Sequence, residues 1–281
     1  MDNIPEPEEI VEPEEHKARR AALRTLEKSV IDLGKVKFLP SELQDVKIRA
    51  VPAEFPSNGK SSLNPCFFEP YSGLLIKPEE GYVETEYPEY DDPVPNDEID
   101  ITPIVHASEL CDYLQQYLPV YRSQGPETGS SGIIAYNSGW DCKDIYEYGF
   151  APLWESNEPQ WRVDSISHYS VGNLPHISCT LTYDINGDDD TLLRGELLTL
   201  IRIMRGRMRH RDFIEHDVVP VIVFSMMGPQ HVRIIQGHFN GNELVVYYSK
   251  LYNFEHEKDA PMDFFARWYS CKPTGQTTSK K

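Results

Sequence analysis

The sequence predicts an α+β fold in which a long helix packs on a mainly antiparallel sheet. An alternating apolar and polar run, 176–183, is typical of a strand, and a segment with helical periodicity follows at 192–210. Short turns at Gly228-Pro229 and Asn240-Gly241-Asn242 then separate three β-rich runs, which span 218–226, 231–239 and 243–250. The predicted order is therefore strand, helix and three-stranded meander, within residues 175–254.

The predicted helix has two different faces. Asp190 or Thr191 is expected to cap its N-terminus. At about 3.6 residues per turn, the apolar residues fall on one side: Leu192, Leu193, Leu197, Leu200, Ile201, Ile203, Met204 and Met208. Four arginines fall on the other side and form what we call the arginine face: Arg194, Arg202, Arg205 and Arg209.

Glu196 lies on the apolar side of this helix. A carboxylate that faces a core needs a partner, because an unpaired buried charge is costly. One interpretation is a structural salt bridge to Arg207 or Arg233 that locks the helix to the sheet. The other is a functional acid.

The negative charge is concentrated in two segments. The formal net charge of the 281 residues is -18, and residues 1–15 hold seven acids while residues 78–104 hold ten, both without Lys or Arg. The rest of the chain is close to neutral. This balance argues against general nucleic-acid binding, which needs a basic surface, and leaves a local phosphate or nucleic-acid site open.

Cysteine usage predicts a reducing compartment. The five cysteines are widely spaced and contain no CxxC pair: Cys66, Cys111, Cys142, Cys179 and Cys271. The N-terminus has neither a basic start nor an apolar run, and no stretch reaches the length of a membrane span. We therefore expect a cytoplasmic or nuclear protein without a membrane partner.

We divide the chain into three parts. Residues 1–34 are expected to form a disordered acidic segment plus a short helix, and residues 35–270 a single α+β domain. Within that domain, 78–104 is expected to be a long exposed acidic loop. Residues 271–281 are expected to form a disordered tail.

Three apolar patterns outside the core suggest further packing. The apolar face of the first helix, with Leu23, Leu26 and Val30, packs on the domain or docks on a partner. Trp154 and Trp161 are both expected to pack, most plausibly on the exposed face of the sheet. Short helices are predicted at 106–117 and 262–269.

Residue spacing excludes several familiar chemistries. The acidic turn at 184–190 fails as a calcium loop, because Asp189 stands where an EF-hand needs Gly and Gly195 where it needs Glu. Ser225 lacks the flanking glycines of a nucleophile elbow. No zinc pattern fits the four histidines His210, His216, His231 and His238. We therefore expect no metal and no cofactor.

The order of helix and three strands resembles the core of a PD-(D/E)XK nuclease. That core needs an acid on the second strand and a Glu-x-Lys motif on the third, whereas here the second strand offers His238 and the third ends in Tyr248-Ser249-Lys250. Glu196 and Lys250 remain, but the pair of metal-binding acids is missing. The resemblance implies a nuclease-like fold whose metal chemistry is lost.

The run 224–241, followed by Ser249-Lys-Leu-Tyr-Asn-Phe254, also resembles a group of uncharacterised filamentous-fungal proteins. These proteins share a Gly-Glu-Leu helix, a Gly-Pro-x-His turn and a Lys-Leu-Tyr-(Asp/Asn)-Phe end. The resemblance covers the last third of the chain and implies no activity.

Two functions remain open. The first is a non-enzymatic interaction or regulatory subunit of an intracellular complex, in which the acidic segments meet a basic protein partner and the arginine face meets an acidic partner or a phosphate. The arginine face could instead be paired internally. The second is a phosphate-handling enzyme or nucleic-acid binder around Glu196, His238 and Lys250, with Arg207 and Arg233 nearby. That second function requires these side chains to converge in one open cleft.

Overall fold

The computed structural model describes residues 12–91, 102–124 and 131–278. The helices in these ranges are α1 Glu14–Asp32, α2 Pro40–Gln44, α3 Pro103–Tyr117, α4 Ile134–Asn137, α5 Arg194–Arg207 and α6 Met262–Tyr269. The strands are β1 Lys37–Phe38, β2 Ile48–Pro52, β3 Phe68–Glu69, β4 Leu74–Ile76, β5 Arg122–Gln124, β6 Ser131–Ile133, β7 Trp140–Lys143, β8 Trp154–Glu155, β9 Trp161–Tyr169, β10 Ile177–Asn186, β11 Leu192–Leu193, β12 Val221–Gly228, β13 His231–Phe239, β14 Leu244–Tyr248, β15 Tyr252–Asn253 and β16 Lys272–Pro273.

A nine-stranded mixed sheet organises the protein. Its strand order is β2-β14-β13-β12-β10-β9-β7, with β15 added on β13 and β8 on β9. The pairs β10/β12 and β14/β2 are parallel, and the other pairs in this sheet are antiparallel. Because neighbouring parallel strands need a crossover, α5 connects β10 to β12. The α+β class and the order of strand, helix and three-stranded meander are confirmed.

The sheet is covered on both faces. One apolar cluster lies between the sheet and the helices α1 and α5 and includes Val221 and Val223 of β12. A second cluster lies on the opposite face with α3 and α6 and includes Ile222 and Phe224 of the same strand. Alternate residues of a strand point to opposite faces, so burial on both sides explains the continuous apolar runs in the central strands.

The predicted start of the long helix is wrong. Leu192 and Leu193 form β11, which pairs with β1, and α5 begins only at Arg194. Thr191 does not cap it, because its hydroxyl donates to Asp188 Oδ1 at 2.7 Å. The two leucines are fully buried in this short pairing. Helical periodicity in the sequence does not reveal such a strand of two residues.

The first helix is part of the domain. In α1, Leu23 and Val30 are fully buried and Leu26 is nearly so, and the helix packs along α5. Of the two uses considered for this face, packing on the domain is the one observed. α1 packs beside α5 in the apolar cluster on one face of the sheet, so the core of the domain also includes residues before position 35.

The prediction of a disordered tail is wrong for residues 271–278. Cys271 is fully buried, and β16 pairs with β3. The Thr277 carbonyl oxygen accepts hydrogen bonds from the backbone N–H groups of Asp217 at 2.8 Å and Val218 at 3.1 Å. Backbone hydrogen bonds fix this segment, and its polar composition does not predict them. Residues 279–281 lie outside the described ranges.

The acidic loop is described only in part, since residues 92–101 lie outside the described ranges. Tyr82 is exposed, as predicted for this loop. Tyr87, however, packs edge-on against Tyr113 and donates its hydroxyl hydrogen to the Phe254 carbonyl oxygen. Glu89 pairs with His256 at 2.9 Å. Residues 87–90 are thus held against the body of the domain, which corrects the prediction of a fully exposed loop.

Within the described ranges, no helix combines the length and the apolar composition that crossing a membrane requires.

The short helix α6 forms at 262–269, as the sequence predicted, and it packs into the second apolar cluster through Phe265 and Trp268. The helix α3 begins at Pro103, three residues before the predicted start.

Candidate functional site

Glu196 is paired with Arg233. Both side chains are fully buried, and Arg233 Nε donates to Glu196 Oε1 at 2.7 Å while Arg233 Nη2 donates to Glu196 Oε2. Glu196 Oε2 also accepts the backbone N–H of Leu193, the residue before α5, at 2.7 Å. The remaining guanidinium nitrogen reaches the Thr191 carbonyl oxygen at 2.7 Å. The structural salt bridge that locks the helix to the sheet is confirmed.

Three members of the arginine face are paired within the fold. Arg202 Nε donates to Glu27 Oε1 at 2.8 Å, and Arg205 pairs with the other oxygen of the same carboxylate. Arg194 pairs with Glu155 at 3.0 Å. The fourth, Arg209, is exposed beyond the end of α5. Three of the four arginines therefore pair with acids of the same domain, which is the internal pairing that the sequence left open as an alternative.

The residues of the nuclease-like alternative do not converge. Glu196 lies on α5 and points to the face of the sheet that this helix covers. His238 contacts Phe67 in the apolar cluster on the opposite face of the sheet. Arg207 lies eleven residues along α5 from Glu196, which is about 16 Å. Lys250 is exposed after β14 and lines a separate cavity of about 480 Å³. Within the described residues, no open cleft collects this set.

A different cavity, of about 660 Å³, opens at the β7–β9 edge of the sheet, and we call it the edge notch. Its floor is formed by 162–165 of β9, and its outer wall by segment 144–153. The wall is anchored on α5, because the Phe150 ring packs so closely on Gly206 that a Cβ there would lie 2.1 Å from it. A volume of this size lies within the usual range for ligand and peptide pockets.

The strand pairing explains why the notch is there. The outer side of β9 pairs with β7 at residues 166–169 and with β8 at residues 161–162. Between these two strands, no described strand pairs with Asp164 and Ser165. On the inner side, Thr180 of β10 lies opposite Ser165 and the next residue, Leu181, lies opposite Val163, so Asp164 is the extra residue of a β-bulge.

Asp164 is a half-buried carboxylate with two side-chain partners. Its Oδ1 accepts from Arg162 Nε at 2.6 Å, and its Oδ2 accepts from the Thr182 hydroxyl at 2.8 Å. Burial raises the pKa of Asp164 above its ordinary value, although both partners oppose that rise. A perturbed carboxylate in a cavity is a common feature of functional sites.

Two further polar residues of the notch, Gln115 and Ser165, both contact Thr180. The hydroxyls of Ser165 and Thr180 are 2.8 Å apart, and Gln115 Nε2 donates to Thr180 Oγ1 at 3.4 Å. Among the described residues, these two hydroxyls bind each other, the Gln115 amide and the Ser165 backbone N–H, and no hydrogen bond joins either of them to a histidine or a carboxylate that could act as a base. The arrangement suits binding.

Aromatic side chains stand at the rim of the notch. Trp154 is 57% exposed and Tyr146 is 87% exposed. The prediction that both tryptophans pack holds only for Trp161, which is fully enclosed and donates its indole N–H to Glu155 at 3.0 Å. Exposed Trp and Tyr side chains are enriched where proteins bind partners. The sequence patterns did not predict this notch, and the signal that could have indicated it is the pair of short strands on either side of segment 144–153.

Among the described residues, no group of three or more His, Cys, Asp or Glu side chains could hold a metal ion. The acidic turn is used structurally, since Asp188 pairs with Lys37 at 2.8 Å and accepts from Thr191. Comparisons with family models, with curated proteins and with solved structures found no match for this chain.

Proposed function

We propose that this protein is a non-enzymatic interaction or regulatory subunit whose partner docks at the edge notch. The observation that carries this proposal is the unpaired stretch of β9 at Asp164 and Ser165, lying beside the exposed rings of Trp154 and Tyr146. An exposed strand edge and a flanking aromatic anchor are what a protein needs to bind an extended segment of another chain.

The docking would use both backbone and side-chain contacts. The gap between β7 and β8 is two residues long, because the Val163 N–H already donates to the Leu153 carbonyl oxygen at 2.8 Å, so a partner segment would enter it with one or two residues and rest the remainder on the rim. Its side chains would alternate between the cavity and the rim, where Trp154 offers a large apolar surface. Lys143 and Arg162 stand near Asp144 and Asp164 at the notch, so its own charges are balanced.

The acidic segments support a partner of basic charge. Residues 1–15 and 78–104 hold seventeen acids and no Lys or Arg, and such a field speeds the approach of a basic protein. Eight of these seventeen acids lie outside the described ranges. The cysteines are all unpaired, which supports a location in the reducing cytoplasm or nucleus.

Site-specific photo-crosslinking in the full chain tests this proposal. A benzophenone side chain replaces Tyr146 at the notch or, as the matched control, Tyr136, which is 85% exposed and does not line the notch. Native extract is then irradiated, and the crosslinked proteins are identified by mass spectrometry. We expect a distinct crosslinked species from position 146 that is absent from position 136.

A second change separates specific docking from general stickiness. Trp154→Ala in the Tyr146 crosslinking variant should remove the species, because the ring that anchors the partner is gone. The same proteins captured from both positions, or capture that is unaffected by Trp154→Ala, would contradict docking at the notch.

A further inference from the structure

Arg207 is a buried guanidinium without a hydrogen-bonded or ion-paired carboxylate among the described residues, although the Asp212 carboxylate is near enough to raise its pKa. The residue is only 5% exposed, and its Nε and Nη2 atoms are buried without any hydrogen-bond partner in the described part of the chain. None of the ion pairs formed by α5 includes it. Burial lowers its pKa to about 10, so the side chain still carries its charge at neutral pH.

The contrast with Arg233 shows how unusual this is. Both arginines are buried, Arg207 at the end of α5 and Arg233 on β13, but Arg233 has a bidentate carboxylate and two carbonyl oxygens as partners. Satisfied in this way, a buried arginine is a structural element. Arg207 has the same burial cost and none of these partners.

The surroundings of Arg207 favour a cation but leave it incompletely paired. Its Cζ lies 3.8 Å from the centre of the Phe213 ring, and it occupies the last position of α5, where the helix dipole favours positive charge. Tyr148 and His168 also lie near enough to feel its charge, but they bind each other, with the Tyr148 hydroxyl 3.0 Å from His168 Nδ1. An anionic acceptor is the group that is missing.

Two more arginines follow Arg207 at the end of the helix. Arg209 and Arg211 are exposed, and neither has an ion-pair partner among the described residues. We call Arg207, Arg209 and Arg211 the terminal arginine cluster. The nearby Asp212 carboxylate lies 3.4 Å from His210. Arg209 and Arg211 therefore add positive charge beside the buried Arg207, while the acids Asp212 and Glu215 follow in the same segment.

We propose that the terminal arginine cluster is an oxyanion site that takes a phosphate monoester, with Arg207 as its anchor. The planar guanidinium of Arg207 matches two phosphate oxygens, and its buried position strengthens each charged hydrogen bond. Arg209 and Arg211 attract the dianion from the solvent side. This site does not depend on partner docking at the edge notch.

Titration calorimetry on the full chain tests the proposal, with inorganic phosphate and O-phosphoserine as probes and with serine and sodium chloride of equal ionic strength as controls. Three variants are compared with the wild type: Arg207→Met, the double variant Arg209→Met/Arg211→Met, and the control Arg24→Met. Arg24 is an exposed arginine on α1. Binding of both probes would indicate recognition of the phosphate group itself, whereas binding of O-phosphoserine alone would indicate a phosphate carried on a larger ligand.

We expect Arg207→Met to weaken phosphate binding by about tenfold or more, because a charge-assisted bidentate contact is lost. The double variant should weaken it less and reduce its dependence on salt, since these side chains act through solvent. Arg24→Met should leave it unchanged.

Stability gives a second, independent readout. Without phosphate, Arg207→Met should be at least as stable as the wild type, because an apolar side chain replaces an unpaired buried charge. Added phosphate should raise the unfolding midpoint of the wild type and of Arg24→Met but not of Arg207→Met. If Arg207→Met does not fold, Arg207→Lys, which keeps the charge without the fork, should show the weakened binding. Equal phosphate affinity in these variants and the wild type, or no wild-type response beyond that to chloride, overturns the proposal.

Discussion

Glu196 of α5 and Arg233 of β13 form a fully buried, bidentate ion pair that joins the helix to the centre of the sheet. Because Glu196 also accepts the backbone N–H of Leu193, the same carboxylate fixes the first turn of α5. One acid therefore sets both where the helix begins and how it lies on the sheet.

Removal of this acid should strongly destabilise the fold. Glu196→Ala leaves the Arg233 guanidinium buried without its anion, which costs about 3–5 kcal/mol. The double change Glu196→Leu/Arg233→Met removes both charges and should cost less than the two single changes added together. Urea unfolding followed by circular dichroism measures each free energy. An unchanged midpoint for Glu196→Ala would show that the pair does not hold the helix.

Glu27 should link α1 to α5. Its carboxylate receives both Arg202 and Arg205, so Glu27→Ala leaves two largely buried guanidinium groups without an anion, and we expect a loss of about 1–3 kcal/mol. The control is Glu15→Ala, which removes an exposed pair with Arg19 on the same helix and should cost less than about 1 kcal/mol. Equal midpoints for the two variants in urea unfolding would contradict the link.

The two tryptophans of the notch region should respond differently to truncation. Trp161→Ala removes a fully buried ring and should cost about 3–5 kcal/mol. Trp154→Ala removes a mostly exposed ring and should change the free energy of unfolding by about 0.5 kcal/mol or less. Thermal unfolding by calorimetry distinguishes them, and a large loss with Trp154→Ala would mean that this ring serves packing.

Two buried histidines should make the protein sensitive to mild acid. Burial lowers the pKa of both His176 and His238 from 6.5 to about 4. The unfolded chain therefore binds protons between about pH 6.5 and 4 that the folded chain does not, so stability is full above pH 6.5 and falls as the pH drops toward 4. Each histidine should contribute roughly 2–3 kcal/mol to this loss.

The variant His238→Leu isolates one of these contributions. It cannot take up a proton, so its stability should fall less steeply than that of the wild type between about pH 6.5 and 4. Above pH 7 the two proteins should have pH profiles of the same slope. Urea midpoints measured across this range provide the comparison, and identical slopes below pH 6.5 would show that the His238 pKa is not lowered by the fold.

Local sequence patterns predicted the α+β class, the strand-helix-meander order and most of the apolar face of α5. These features are local, since strand alternation, helical periodicity and Gly-Pro or Asn-Gly turns are written in neighbouring residues. The second strand of the meander, β13, begins at His231 and ends at Phe239, as predicted. The need of Glu196 for an arginine also followed from the sequence, because only one side of the helix could face the sheet.

The tertiary structure alone decided which arginine pairs with Glu196, that Glu27 neutralises half of the arginine face, and that Trp154 stays exposed while Trp161 is buried. It also decided that Arg207 has no ion-pair partner among the described residues. The physical reason is separation along the chain. Glu27 and Arg202 lie 175 residues apart, and whether two such charges meet depends on how α1 packs on α5. No local pattern contains that information, because it arises only when the layers of the fold come together.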